Sequence, residues 1–190
     1  MALSIIKEIA DLDLSSLIIS CERITLCAIN ADFAEDIFAE FNADITRYMV
    51  PKPAVNITDT LAFIDGSLNG MKQGHEIVLA IIKSDNNEFL GCCGLHGRGE
   101  LELGIWLKKG AHGNKYGLEA IKGLSIWLID HIEFDFLIYP VDKANIASRK
   151  IPESLGGEVY NTAQKTSQSA IVLDEVIYKI THANLVAAVA

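Results

Sequence analysis

Three things are scarce in this chain, and each scarcity removes a class of function. Long apolar runs come first. Residues 1–20 are largely apolar, but Lys7, Glu8, Asp11 and Asp13 interrupt them. No signal peptide or membrane span is expected there. The ending Leu185–Ala190 is apolar and short, which suits a docked or frayed tail rather than an anchor. Metal-spaced cysteines come second. Cys21, Cys27, Cys92 and Cys93 form no C-x-x-C pair and no Cys/His cluster at zinc spacing. They read as buried free thiols of a reducing cytoplasm, with no metal. Positive charge comes third. The 16 Lys and Arg face 25 Asp and Glu, a net charge of −9. The basic footprint of a nucleic-acid binder is missing.

The sequence has no internal repeat, low-complexity tract or linker-like stretch. Its 190 residues, half of them hydrophobic, suit one domain with a sizeable core. The expected division is an extension over 1–19, a domain over 20–182 and a tail over 183–190. The negative charge is uneven. Residues 1–70 hold 11 acidic and 4 basic side chains, a balance of −7, and the rest of the chain carries −2. A cationic ligand would be drawn to the N-terminal part.

In chain order, Met1–Leu14 reads as a short amphipathic helix and Leu17–Ile29 as a first strand centred on Ile24 and Leu26. Asn30 caps a helix carrying Phe33, Ile37, Phe38 and Phe41. A loop with Pro51 and Pro53 follows. Thr58 is expected to cap a second helix with the stripe Leu61, Ile64, Leu68, Met71. Glu76–Ile82, Phe89–Leu95 and Glu100–Leu107 read as a three-strand meander with turns at 84–87 and 97–99. The period then changes, and Leu118, Ile121, Leu124 and Leu128 share a helical face. Phe134–Tyr139 returns as a strand, giving a β-α-β unit. Pro140 should weaken pairing there. Asn145 caps a helix ending at Gly156-Gly157, with Pro152 expected to kink it. A hairpin closes the chain, with Val172–Ile180 as the last strand.

The stretch with most chemistry is Glu100–Ala120, ELELGIWLKKGAHGNKYGLEA. A strand enters a helix through a basic, glycine-bearing loop. Backbone N–H groups and the positive end of the helix dipole converge there, which suits phosphate. Lys108, Lys109 and Lys115 are a local exception in an acidic protein. The bland alternative is a solvated turn with surface lysines.

Four segments, in this order, are similar to the GNAT acetyltransferase superfamily. They are Glu22-Arg23-Ile24-Thr25-Leu26, Glu102-Leu103-Gly104-Ile105-Trp106-Leu107, His112–Ala120, and Asn145-Ile146-Ala147-Ser148 with Leu155-Gly156 beyond. The branch they most resemble is the RimJ/RimL-like type, which acetylates protein N-termini. The resemblance covers roughly residues 20–182. It implies an α+β fold: a central, twisted, mostly antiparallel sheet with one parallel, splayed strand pair, flanked by helices. It implies acetyl-CoA as co-substrate, no metal and a cytoplasmic enzyme. Dimers are common in that branch, so a homodimer is among the assemblies it implies.

By the same resemblance, the backbone of Ile105, Trp106 and Leu107 would lie along the coenzyme's amide arm. The amides of His112, Gly113, Asn114, Lys115, Tyr116 and Gly117 would hold its diphosphate, with Arg149 and Lys150 in reach of other phosphates. Asn145 would hold the arm, and Ser148 would hydrogen-bond the departing sulfur, with Tyr116 and Tyr139 as runners-up. Glu102 would be the base. The loop departs from the family pattern Q/R-x-x-G-x-G/A, with His112 first and Lys115 at the central glycine. Lys115 either obstructs the diphosphate or adds an ammonium to it. His75, His96, His131 and His182 show no pairing pattern.

The amine itself narrows the acceptor. A lysine side chain, with a reference pKa of about 10.4, costs about 4.6 kcal/mol to deprotonate at pH 7, and an α-amine only about 1–1.4. This favours the acceptor that the resemblance implies, a protein N-terminal α-amine, and the expected activity is its acetylation. The alternatives are a polyamine or aminoglycoside acceptor, or an acyl-CoA-binding module without turnover.

Overall fold

The structure, a computed structural model, describes residues 13–97 and 99–190. The expected helix Met1–Leu14 therefore lies outside the described residues except for its last two positions, and Leu14–Ser16 is a single 3-10 turn capped by Asp13.

Among the described residues, eight strands form one sheet in the order β1-β2-β3-β4-β5-β6-β8-β7. They are β1 Ile18–Ser20, β2 Ile24–Ala28, β3 Ile77–Lys83, β4 Phe89–His96, β5 Glu102–Leu107, β6 Phe136–Asp142, β7 Glu158–Thr166 and β8 Val172–Thr181. The helices are α1 Ala34–Glu40, α2 Ala43–Thr46, α3 Ile57–Lys72, α4 Tyr116–His131, α5 Ile146–Ser154 and α6 His182–Val189. All neighbouring strands are antiparallel except β5 and β6. This is the mixed α+β arrangement that the resemblance implies.

Three expectations change. The single strand Leu17–Ile29 is two strands, because Cys21-Glu22-Arg23 turns the chain and β1 folds back on β2. The cap of α3 is Asn56, whose side chain accepts from Asp59 N–H while Asp59 accepts from the Asn56 N–H. That capping box satisfies two end donors at once, which Thr58 inside the first turn could not do. Pro140 lies within β6 and keeps its register with Ile177 of β8. Its effect falls on the other side of the strand, as shown below.

β3 and β4 are buried almost end to end. Their near-continuous apolar sequences follow from cover on both faces. α1 and α3 pack on one face, against β4 and β3. α4 crosses the other face over β2, β4 and β5, burying Ala120, Ile121, Leu124 and Leu128. The C-terminal helix α6 packs on α4 and β8 and buries Leu185 completely. No helix among the described residues is long and apolar enough to cross a membrane.

Candidate active site

β5 and β6 touch at one register position, Glu102 beside Ile138, and then part. Strand alternation fixes which groups the parting exposes. Ile138 N–H donates to the Leu101 carbonyl at 2.8 Å, and Lys108 N–H donates to Leu90 of β4 at 2.8 Å. So the even-numbered residues of β5 turn their N–H and C=O to β4, and the odd-numbered ones turn theirs to the split. Ile105 and Leu107 face the opening. Trp106, expected with them, does not. Its carbonyl points at β4, where a Cβ on Gly91 would overlap it. The same alternation aims the nitrogen of Pro140 at the split, two residues beyond Ile138. The missing N–H of the proline falls where no ladder bond exists.

The side chains divide by the same parity. Ile105 and Leu107 lie under α4, since a Cβ on Gly117 would stand 3.6 and 3.5 Å from their Cδ1 atoms. Gly117 therefore has a packing duty, close approach of helix to strand. Trp106 points to the opposite face, against Phe41 and Phe89 with ring centroids 4.9 and 5.8 Å away. Glu102 and Gly104 share that face.

Beyond β5, the turn Lys109–Ala111 leads to α4. Lys115 stands at the N-cap with φ 63° and ψ 12°, and no side chain caps the helix. Gly113 also has a positive φ, 80°. Lys115 thus holds a left-handed conformation that glycine adopts freely, at a cost of roughly 1–2 kcal/mol. Uncapped first-turn amides at the positive end of a 16-residue helix suit an anion. His112 braces the loop by donating from Nε2 to the Leu107 carbonyl at 2.9 Å. Asn114 Nδ2 donates to the carbonyls of Ala111 and His112. The basic cluster is smaller than the sequence suggests, because Lys108 pairs with Glu88 and Lys109 with Asp44, each at 2.8 Å. Lys115→Gly is expected to raise Tm by about 2–3 °C, because glycine adopts this conformation freely but loses more entropy on folding. A melting curve checks it.

On the same side of the sheet, Asn145 Oδ1 accepts from Ser148 N–H at 3.2 Å and so starts α5. Its amide NH₂ is left for another partner. Ser148 Oγ lies 2.8 Å from the Tyr139 hydroxyl. Burial, partly offset by that bond, pushes the Tyr139 phenol up to about 12, so it holds its proton at neutral pH. Pro152 lies inside α5 and cannot supply the N–H that would bond the Ser148 carbonyl. The helix nevertheless runs to Ser154. Arg149 is committed elsewhere: Nε donates to Tyr178 at 3.1 Å and Nη1 to Lys143. Tyr116 is half-buried under the Arg23 guanidinium, 4.9 Å from its ring centroid.

On the opposite face Glu102 is half-buried. Burial raises its pKa, Lys165 and His96 lower it, and Glu175 raises it further. A carboxylate so placed holds a proton more readily than an exposed one. Beside it opens a cleft of about 710 Å³ between the end of α3 and the β4–β5 turn, lined by Asn69, Gly70, Gln73, Glu76 and His96 among others.

Sequence reasoning missed two participants. Arg23 clamps the loop. Its Nη2 meets Glu119 at 2.6 Å, its Nε donates to the same carboxylate at 2.8 Å and its Nη1 to the Asn114 carbonyl at 3.2 Å. The signal was present in Glu22-Arg23-Ile24-Thr25-Leu26, but the partner is 96 residues away. The other is His96, hydrogen-bonded through Nδ1 to Glu76 at 3.0 Å.

Comparison with known proteins points one way. The acetyltransferase (GNAT) domain family matches residues 23–158. No curated protein matches the sequence. Among solved structures, a GNAT-family acetyltransferase from Bacillus anthracis is 17% identical, covers 88% of this chain and 99% of its own, and superposes with a TM-score of 0.74. An acetyltransferase from Salmonella typhimurium that modifies the N-terminal serine of a 50S ribosomal subunit protein is 13% identical over 87% and 99%, with a TM-score of 0.76. The microcin C7 self-immunity acetyltransferase, in complex with acetyl-CoA and AMP, is 20% identical over 84% and 93%, with a TM-score of 0.73.

Proposed function

The chain belongs to the GNAT acetyltransferase family, and from that premise we propose that it acetylates the α-amine of protein N-termini. The family's reaction moves an acetyl group to an amine, and acetyl-CoA supplies the activated thioester. The observation that carries the site assignment is the parting of β5 and β6 directly beside the uncapped start of α4. Backbone groups of Ile105 and Leu107 can pair with an amide arm as they would with an added strand. The amides of residues 112–117, with the Lys115 ammonium, suit a diphosphate. Asn145 offers its free NH₂ to the arm. Ser148, backed by the protonated Tyr139, gives a proton to the departing sulfur. The Ile105 N–H supports developing negative charge at the reacting carbonyl. Glu102, on the other face, takes the amine proton.

The low cost of deprotonating an α-amine favours an N-terminal acceptor, because one half-buried carboxylate then suffices. The Glu76 carboxylate lining the cleft, with Glu102 one strand away from His96, supports a second acceptor, a small polyamine. The left-handed Lys115 argues against a spoiled loop and hence against a binding module without turnover. Reduced thiols at Cys21, Cys27, Cys92 and Cys93 support a cytoplasmic setting.

The test is release of free thiol from acetyl-CoA across a panel of peptides with free N-termini, polyamines and aminoglycosides. Peptides are expected to give the highest kcat/KM. Release with small amines alone would remove the N-terminal acceptor. Coenzyme binding without release from any acceptor would leave only the binding module.

A further inference from the structure

Glu76 and His96 are built into the sheet with more care than a surface pair needs. Glu76 directly precedes β3, and His96 ends β4. His96 Nδ1 lies 3.0 Å from Glu76 Oε2. Three glycines on three different elements leave the room these side chains use. A Cβ on Gly70 of α3 would sit 2.9 Å from Glu76 Cγ and overlap its carboxylate. A Cβ on Gly94 would overlap the Ile77 carbonyl oxygen of β3 first and would also stand 3.0 Å from His96 Nε2, and one on Gly104 would stand 3.4 Å from its Cδ2. The Nε2 edge of the imidazole therefore reaches over Gly94 of β4 and Gly104 of β5.

His96 is directly opposite Glu102 in the β4–β5 register, so both side chains project from one face with Cβ atoms about 4.5–5.5 Å apart. Glu76 from the α3–β3 turn bonds the imidazole, Glu102 stands opposite it across the strand register, and His75 lines the same cleft. Lys165 of β7 and Glu175 of β8 act on Glu102. The His96 side chain is 41% exposed and borders the open cleft, whereas Glu102 is half-buried.

We propose that His96, held by Glu76, is the relay that carries the acceptor's proton from Glu102 to solvent. This rests on the reading of Glu102 as base. The Glu76 carboxylate accepts from Nδ1–H, which leaves the lone pair of a neutral imidazole on Nε2. An acceptor N–H bond breaks as a Glu102 O–H bond forms. That O–H then breaks as an Nε2–H bond forms, giving an imidazolium beside Glu76. The proton leaves to water in the cleft, and both groups return to their starting state. No oxidant or further reactant is needed.

Two measurements test this. The first is the neutral tautomer of His96, read from nitrogen-15 shifts of the intact protein. The proton is expected on Nδ1, and a proton on Nε2 overturns the relay whatever the protein acetylates. The second is chemical rescue, with a serine-initial peptide as acceptor. His96→Ala is expected to lower kcat about 10–100-fold, with acetyl-CoA affinity and the circular dichroism spectrum unchanged. Added imidazole should restore at least a tenth of the lost rate, and substituted imidazoles should rescue in order of their basicity. A wild-type rate in the variant, or a loss that no imidazole repairs, overturns the relay while leaving Glu102 as base. A wild-type enzyme that acetylates nothing sinks the parent reading instead, and the tautomer then remains the test of the pair.

Discussion

Glu102→Gln is expected to cut kcat/KM about 100-fold at pH 7, or about 2.7 kcal/mol of transition-state stabilisation. The amide keeps the size and one acceptor oxygen of the carboxylate but cannot take a proton. The pH profile should change with the rate. In the wild type the base must be ionised, and burial raises its pKa above the usual carboxylate value. The acid limb therefore lies higher than an exposed glutamate would set it, and activity grows as pH rises through that limb. Without the carboxylate, the amine must lose its proton to water. The rate should then climb with the amine's own ionisation, near pH 7.7–8.0 for an α-amine, so the whole profile moves upward. Steady-state kinetics from pH 5 to 9 on a fixed peptide decide it. An unmoved profile would remove Glu102 as base, and the His96 relay would lose its donor.

The parts of this fold that were legible in the sequence are those with local causes. Helical spacing over Leu118–Leu128, the turn chemistry at 84–87 and the Asn145 cap each follow from residues a few positions apart, and each stands where expected. The β1–β2 turn was missed because Cys21-Glu22-Arg23 contains no Gly, Pro, Asn or Asp to mark it. The capping box was missed because Thr58 is an acceptable cap type two residues from Asn56, a better one, and the Asn56–Asp59 pairing is settled by geometry. The candidate site was legible on its coenzyme side for the same reason. A strand, a loop and a helix start lie within 21 consecutive residues. The proposed acceptor side draws on distant pieces. Glu76 meets His96 across 20 residues, and His96 meets Glu102 only through strand register. A histidine at a strand end carries no sign of this in its own neighbourhood. The lysines show the converse. Lys108 and Lys109 look like phosphate ligands in sequence, but Glu88 and Asp44 reach them in space.

Gly91→Val is expected to damage both fold and function, and more than any change on the solvent side of the loop. Gly91 has φ +151°, a conformation L side chains rarely adopt. A Cβ there would stand 2.8 Å from Leu107 Cα and overlap the Trp106 carbonyl oxygen. These are backbone atoms of β5, so no rotamer change can make room. Forcing the residue costs roughly 1–3 kcal/mol in backbone strain and about as much again in overpacking. The sum is on the order of 2–6 kcal/mol, a drop in Tm of roughly 5–20 °C for a chain of this size. The functional loss should exceed the loss of folded protein. β5 would relieve the overlap by moving away from β4 and towards the split, and that shifts the Ile105 and Leu107 amides on the open edge. Folded Gly91→Val at low temperature should therefore bind acetyl-CoA at least tenfold more weakly than the wild type. Gly66→Ala is the control. Gly66 lies inside α3 with nothing among the described residues within 4 Å of an added Cβ, so alanine should stabilise by about 0.5–1 kcal/mol and leave coenzyme affinity alone. If Gly91→Val melts and binds like the wild type, β4 does not hold β5 in place, and the rigid open edge on which the coenzyme site depends does not exist.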